Sequence, residues 1–154
     1  MFKSFSKSLL AAVALAATLP AAATTFSFMA GLSGANEVPA NASTATGTTL
    51  VTFDDVLNNV TVNVIFSGLA AAASAAHIHC CSPPGVNSGV QIGLAGFPAS
   101  TSNTYNGVLT PGVATFALVL AGAQAGQAYV NLHNPTFPGG ELRGNLVPVP
   151  EVST

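Results

Sequence analysis

The chain has 154 residues, of which 49% are hydrophobic and only 5% charged, for a formal net charge of −2. Ordinary globular domains carry about 25% charged residues, so this surface must be covered by Ser, Thr, Asn, Gly and Ala, with little charge repulsion to oppose self-association. Three basic residues against five acids exclude nucleic acid and anionic membrane surfaces as partners, because almost nothing is there to neutralise phosphates.

The first 23 residues read as a secretory signal. Lys3 and Lys7 form a basic start, residues 9–19 are apolar but too short to span a bilayer, and Ala21-Ala22-Ala23 is a small-residue cleavage site. Cleavage after Ala23 is expected to leave 131 residues, enough for one domain with a core. That mature part keeps one base, Arg143, against Glu37, Asp54, Asp55, Glu141 and Glu151, a net charge of −4. From residue 24 the periodicity is that of strands. Residues 60–66 alternate, with Val60, Val62, Val64 and Phe66 on one face, and residues 115–120 alternate as well. The other expected strands are 26–32, 46–54, 75–79, 90–94, 104–109, 129–133 and 141–147. A hairpin turn is expected between Asp54-Asp55 and Asn58-Asn59, and Pro-Gly pairs at 84–85, 111–112 and 138–139 break the chain elsewhere. Residues 70–73, all alanine, could form one helical turn. Strands at roughly ten-residue spacing predict an all-β, antiparallel sandwich or barrel over residues 24–147, followed by a proline-rich tail over 148–154.

All three histidines sit in two of these strands. Residues two apart on a strand face the same way, about 6.6–6.8 Å apart along it, so His77 and His79 can point at one ion while Ile78 points into the core. Tyr129, Asn131 and His133 share the face opposite Val130 and Leu132, and His133 would complete a set of three nitrogens. Imidazole suits copper, zinc, nickel and iron, and three protein ligands leave a coordination position open. The alternative is three polar side chains on a solvated sheet face. Asn131, Glu141 and Arg143 are the expected surroundings of the ligands, with Glu141 and Arg143 on one strand face as an ion pair that orients His133. Glu37 is read as capping a turn, with no chemistry assigned. Cys80 and Cys81 directly follow His79. Three states are open to them: a disulfide between neighbours, soft metal ligation favouring Cu(I), or bridges between chains. No catalytic residue is assigned.

These motifs resemble the CHRD (chordin-type) domain. The pattern runs through nearly all of the mature chain: Leu32-Ser33-Gly34-Ala35-Asn36-Glu37-Val38-Pro39, Ala45-Thr46-Gly47, Ala76-His77-Ile78-His79, Gly89-Val90, Gly126-Gln127-Ala128-Tyr129-Val130-Asn131-Leu132-His133 and Gly139-Gly140-Glu141-Leu142-Arg143-Gly144. The resemblance implies an immunoglobulin-like, Greek-key β-sandwich with limited similarity to copper/zinc superoxide dismutase. By that likeness His77, His79 and His133 match three copper ligands, and Arg143 matches an arginine that attracts the anionic substrate. The chain has no further histidine to bridge copper to zinc and no second ligand set, which implies a mononuclear copper site, with zinc possible, rather than a dismutase. One arginine against five acids is also a poor electrostatic funnel.

Val149-Pro150-Glu151-Val152 resembles the Val-Pro-Glu-Pro opening of the PEP-CTERM sorting signal, with Val152 in place of the second proline and without the membrane helix that would follow. It implies the bacterial cell envelope or an extracellular matrix, with exopolysaccharide, matrix or other copies of the chain as partners and no stable transmembrane anchor. Three functions follow as expectations. The first is a secreted metal-binding protein of the cell surface or matrix. The second is a structural or interaction module without metal, as in chordin. The third is a copper oxidoreductase such as superoxide dismutase.

Overall fold

The computed structural model describes residues 24–150. The expected signal peptide (1–23) and the last four residues of the expected tail (151–154) lie outside that range. In chain order the elements are β1 (Thr25–Ser33), a 3-10 turn (Gly34–Asn36), β2 (Thr46–Asp54), β3 (Asn59–Ser67), β4 (Ala75–His79), β5 (Val90–Gly93), β6 (Asn103–Leu109), α1 (Val113–Gln124), β7 (Tyr129–His133), β8 (Leu142–Asn145) and β9 (Val147–Pro148). The all-β antiparallel class expected from the periodicity is what forms. The strands make one curled sheet in the order β5-β4-β7-β8-β1-β2-β3-β6, with β9 also paired to β1.

The long strands β1, β2 and β3 pair over their full nine residues, Val51 opposite both Phe28 and Val62. Val60, Val62, Val64 and Phe66 all point inward, at no more than 2% exposure, so the period-two pattern of this segment does select one buried face. The turn between β2 and β3 is fixed by Asp54, whose Oδ1 accepts from the Val56 and Leu57 amides at 3.0 and 2.8 Å. One cluster of apolar side chains fills the curl, including Phe28, Phe53, Ile78, Val130, Leu132, Leu142 and Leu146.

Three local expectations are corrected. Residues 115–120, read as a strand, lie inside α1. Both periods fit that short apolar run. The alanine-rich composition of residues 114–123 favours the helix, and its buried positions Phe116, Val119, Gly122 and Ala123 follow the helical spacing. Gly126, at φ 69°, ends the helix with loop-back bonds from the Gln127 amide to the Gly122 carbonyl (2.7 Å) and from the Gly126 amide to the Ala123 carbonyl (3.1 Å). Residues 70–73 form no helical turn but a bend into β4. The segment 141–147 is not one strand. β8 begins only at Leu142, and pairing changes partner after Asn145.

The sheet positions the site through β7, which lies between β4 and β8. On its inner side Ile78, Val130 and Gly144 form one row across the three strands. On its outer side His77, Asn131 and Arg143 form a second row, and His79, Tyr129 and Asn145 a third. Residues 129–132 of β7 are all buried. The outer face is therefore not solvated sheet but a polar layer roofed by other segments. Among the described residues no helix is long and apolar enough to cross a membrane.

Candidate metal centre

His77, His79 and His133 converge on that outer face. One ring nitrogen from each lies within 4.8 Å of the others, and their ring centroids are 4.9–6.0 Å apart. Two of the rings are held from behind by backbone carbonyls. His79 Nδ1 donates to the Ser88 carbonyl at 2.8 Å, and His133 Nδ1 donates to the Pro138 carbonyl at 3.1 Å. A carbonyl can only accept, so each Nδ1 carries the proton and each Nε2 presents a lone pair.

Among the ring nitrogens that are buried, three remain: His77 Nδ1, His79 Nε2 and His133 Nε2. All three are buried and have no hydrogen-bond partner. Buried polar atoms are rarely orphaned, because each costs about 1–3 kcal/mol, and three facing one another require an account. They fit a metal ion. Two nitrogens at 2.0–2.1 Å from one ion lie at most about 4.2 Å apart, so small rotations of the rings suffice. Burial pushes all three imidazoles below their ordinary pKa. For His77 the neighbouring His133 and His79 add to the effect, whereas the carbonyls behind His79 and His133 partly oppose it. The cluster is thus built to stay neutral, the form that ligates metals.

The residues around the rings act at one remove. Tyr129 stacks flat on His79, centroids 4.8 Å apart and planes within 3°. The Arg143 guanidinium lies 3.5 Å from the Tyr129 ring centre. Arg143 is 1% exposed, and its Nη1 and Nη2 donate to Asn87 Oδ1 (2.9 Å) and the Val86 carbonyl (3.0 Å). Asn131 donates to Glu37 Oε1 and to the Leu142 carbonyl.

The expected Glu141–Arg143 ion pair does not form. Glu141 precedes β8, so strand alternation does not govern it. Its fully buried carboxylate accepts from Ser43 Oγ (2.5 Å), from the Ala70 amide (3.0 and 3.1 Å) and from Asn134 Nδ2. Glu141 ties three loops together behind His133 rather than orienting the ring directly.

Cys80 and Cys81 are joined to each other. Cys80 continues the alternation of β4 and points with Ile78 to the core side, against α1. In this form neither sulfur offers a thiolate, and the candidate ligand set is nitrogen alone.

Sequence reasoning assigned no chemistry to Tyr129 or Glu37. Tyr129 was legible as a neighbour, because it shares the strand face of His133. Glu37 was not, since it comes from a loop distant in sequence. Burial raises the Glu37 carboxyl to about 7, against the opposing effects of Asn131 and Arg143. Its stabilising protonated form is therefore complete below the ordinary value of 4.5 and is lost as pH rises through 7. Glu37→Gln, which keeps the acceptor for Asn131, is expected to raise stability at pH 8 by about 1–3 kcal/mol and to change nothing near pH 4.5. Thermal melts of both proteins across that range check it, and an equal effect at both ends would contradict it.

The family model of the CHRD domain matches residues 28–146, which span every residue of the layer described above. Among curated proteins and among solved structures nothing matches the chain.

Proposed function

The chain belongs to the CHRD domain family, and from that premise we propose that it is an exported metal-binding protein holding one ion, copper before zinc, through His77 Nδ1, His79 Nε2 and His133 Nε2. The observation that carries the reading is that each of three histidines whose ring nitrogens converge within 4.8 Å also has a buried nitrogen without a partner. An all-imidazole set suits both metals, and a given nitrogen site binds divalent copper more tightly than zinc. A bound ion would supply Lewis acidity or, if copper, one-electron chemistry at the position the three histidines leave open. The protein's own part is to fix two tautomers through Ser88 and Pro138, keep the rings neutral and brace His79 with Tyr129. Export is supported by Lys3, Lys7, the apolar segment 9–19 and the small residues at 21–23. Disulfide bonding also belongs to oxidising compartments, and such a protein would work at the cell surface or in matrix.

A dismutase reading is weaker on geometry. The Arg143 guanidinium is buried, stacked on Tyr129 and bonded to Asn87 and Val86. It is not free to draw in a diffusing anion. A pure scaffold reading leaves the three orphaned nitrogens without a reason.

Titration of the purified protein with Cu(II), Cu(I) and Zn(II) tests the proposal. One ion per chain is expected, with affinity lowered about 100-fold or more in His77→Ala and in His133→Ala. Absence of stoichiometric metal under all three titrants would refute it.

A further inference from the structure

We propose that Cys81 is a thiol–disulfide exchange site, through which a small dithiol loosens the loop that roofs the histidine cluster. The two sulfurs differ in access. Cys80 is 4% exposed, whereas Cys81 is exposed. Exchange needs a thiolate to reach one sulfur of the pair, so access decides which is attacked. The geometry assigns Cys81 as the sulfur attacked and Cys80 as the one that leaves.

The chemistry is a two-electron exchange. A thiolate of the dithiol attacks Cys81 Sγ, the bond to Cys80 Sγ breaks, and that sulfur takes the electron pair and a proton. The second thiol of the reagent then attacks its own sulfur in the mixed disulfide and releases Cys81 as a thiol. The protein ends with two thiols and the reagent as a cyclic disulfide. Cys80 Sγ lies 3.9 Å and Cys81 Sγ 3.7 Å from the Leu118 carbonyl oxygen, which can accept from either thiol once formed.

The pair is docked on α1 with no room to spare. Gly122 is an interior helix glycine, which costs about 1 kcal/mol relative to alanine. A Cβ at that position would overlap both sulfurs. When the bond opens, the sulfurs must move from bonded distance to ordinary contact, roughly 3.5–4.0 Å. The helix blocks one side, so Cys81 moves outward and takes the following residues with it.

Those residues, 82–89, are the roof of the polar layer. Val86 and Asn87 accept from Arg143. Asn87 Nδ2 donates to the Val38 carbonyl at 2.8 Å. Ser88 exchanges hydrogen bonds with the Tyr129 hydroxyl, and its carbonyl holds His79. The loop also ends where it begins, because the Cys80 amide donates to the Gly89 carbonyl at 3.4 Å. Opening the ring therefore weakens the carbonyl behind His79. That this alters metal affinity rests on the metal-site reading above. That it frees the loop does not.

The test uses the full chain, metal-free, in oxidised form and after dithiothreitol. Amide hydrogen exchange at Val86, Asn87 and Ser88 is expected to speed up about tenfold on reduction, with β2 and β3 unchanged. A limiting monothiol, 2-mercaptoethanol, is expected to form its mixed disulfide on Cys81, read by peptide mapping. Equal exchange rates in the two states, or an adduct on Cys80 alone, would overturn the proposal. The double variant Cys80→Ser, Cys81→Ser should exchange like the reduced protein whatever the redox conditions. Because metal is absent throughout, failure here leaves the metal-site reading standing, and failure to bind metal leaves this result standing.

Discussion

Glu141→Ala is expected to cost about 3–5 kcal/mol of stability, a large part of what a domain of this size possesses. The carboxylate is fully buried and gathers Ser43, the Ala70 amide and Asn134 around itself. Alanine leaves all of those donors buried without an acceptor, each costing about 1–3 kcal/mol, and leaves a void as well. Those donors come from the connection between β1 and β2, the connection between β3 and β4, and the residue after β7. Their release disorders the floor beneath His133. Glu141→Gln keeps one acceptor oxygen but brings an amide among donors, so an intermediate loss of about 2 kcal/mol is expected. Urea unfolding of the three proteins measures the series. A loss below about 1 kcal/mol for alanine would show that the loops are held by other contacts.

Loading the histidine cluster should stabilise the fold by a similar amount in the opposite direction. At a free metal concentration a thousandfold above Kd, binding to the folded state alone contributes about 4 kcal/mol, or roughly 10–20 °C in Tm for a domain of this length. A chelator should remove the gain entirely. His77→Leu separates this account from a scaffold role. His77 Nδ1 has no partner in the metal-free protein, so leucine there is expected to leave the apo stability unchanged or higher while abolishing the metal-dependent gain. A scaffold histidine would instead lose apo stability on replacement and show no response to metal in either protein.

Much of this was legible from the chain. The alternation of residues 60–66, with Val60, Val62, Val64 and Phe66 two apart, fixes a face, and a face fixes a strand in a sheet with one core. His77 and His79 two apart, and His133 on the polar face of a second strand, place three rings on one side once those strands pair. What period-two reasoning could not supply was the register that sets His77 beside Asn131 and His79 beside Tyr129. Nor could it supply the backbone carbonyls of Ser88 and Pro138, because any residue type offers a carbonyl. Residues 115–120 were misread because a short apolar run satisfies both helical and strand spacing. There the alanines and the Gly126 stop were the better signal. Glu141 and Arg143 were paired by a strand rule that holds only inside a strand, and β8 starts one residue too late for it. Glu37 reaches the layer from a loop whose path depends on the whole fold.

The central claim is that three specified ring nitrogens bind one ion. Long-range proton–nitrogen NMR of the histidine side chains, on protein loaded with one equivalent of Cu(I) or Zn(II), both diamagnetic, tests it most directly. The account predicts that His79 and His133 are Nδ1–H tautomers before metal is added. It predicts that the added ion shifts Nε2 of those two residues and Nδ1 of His77, and no other ring nitrogen. Unchanged nitrogen shifts with metal present, or coordination through Nδ1 of His79 or His133, would contradict it.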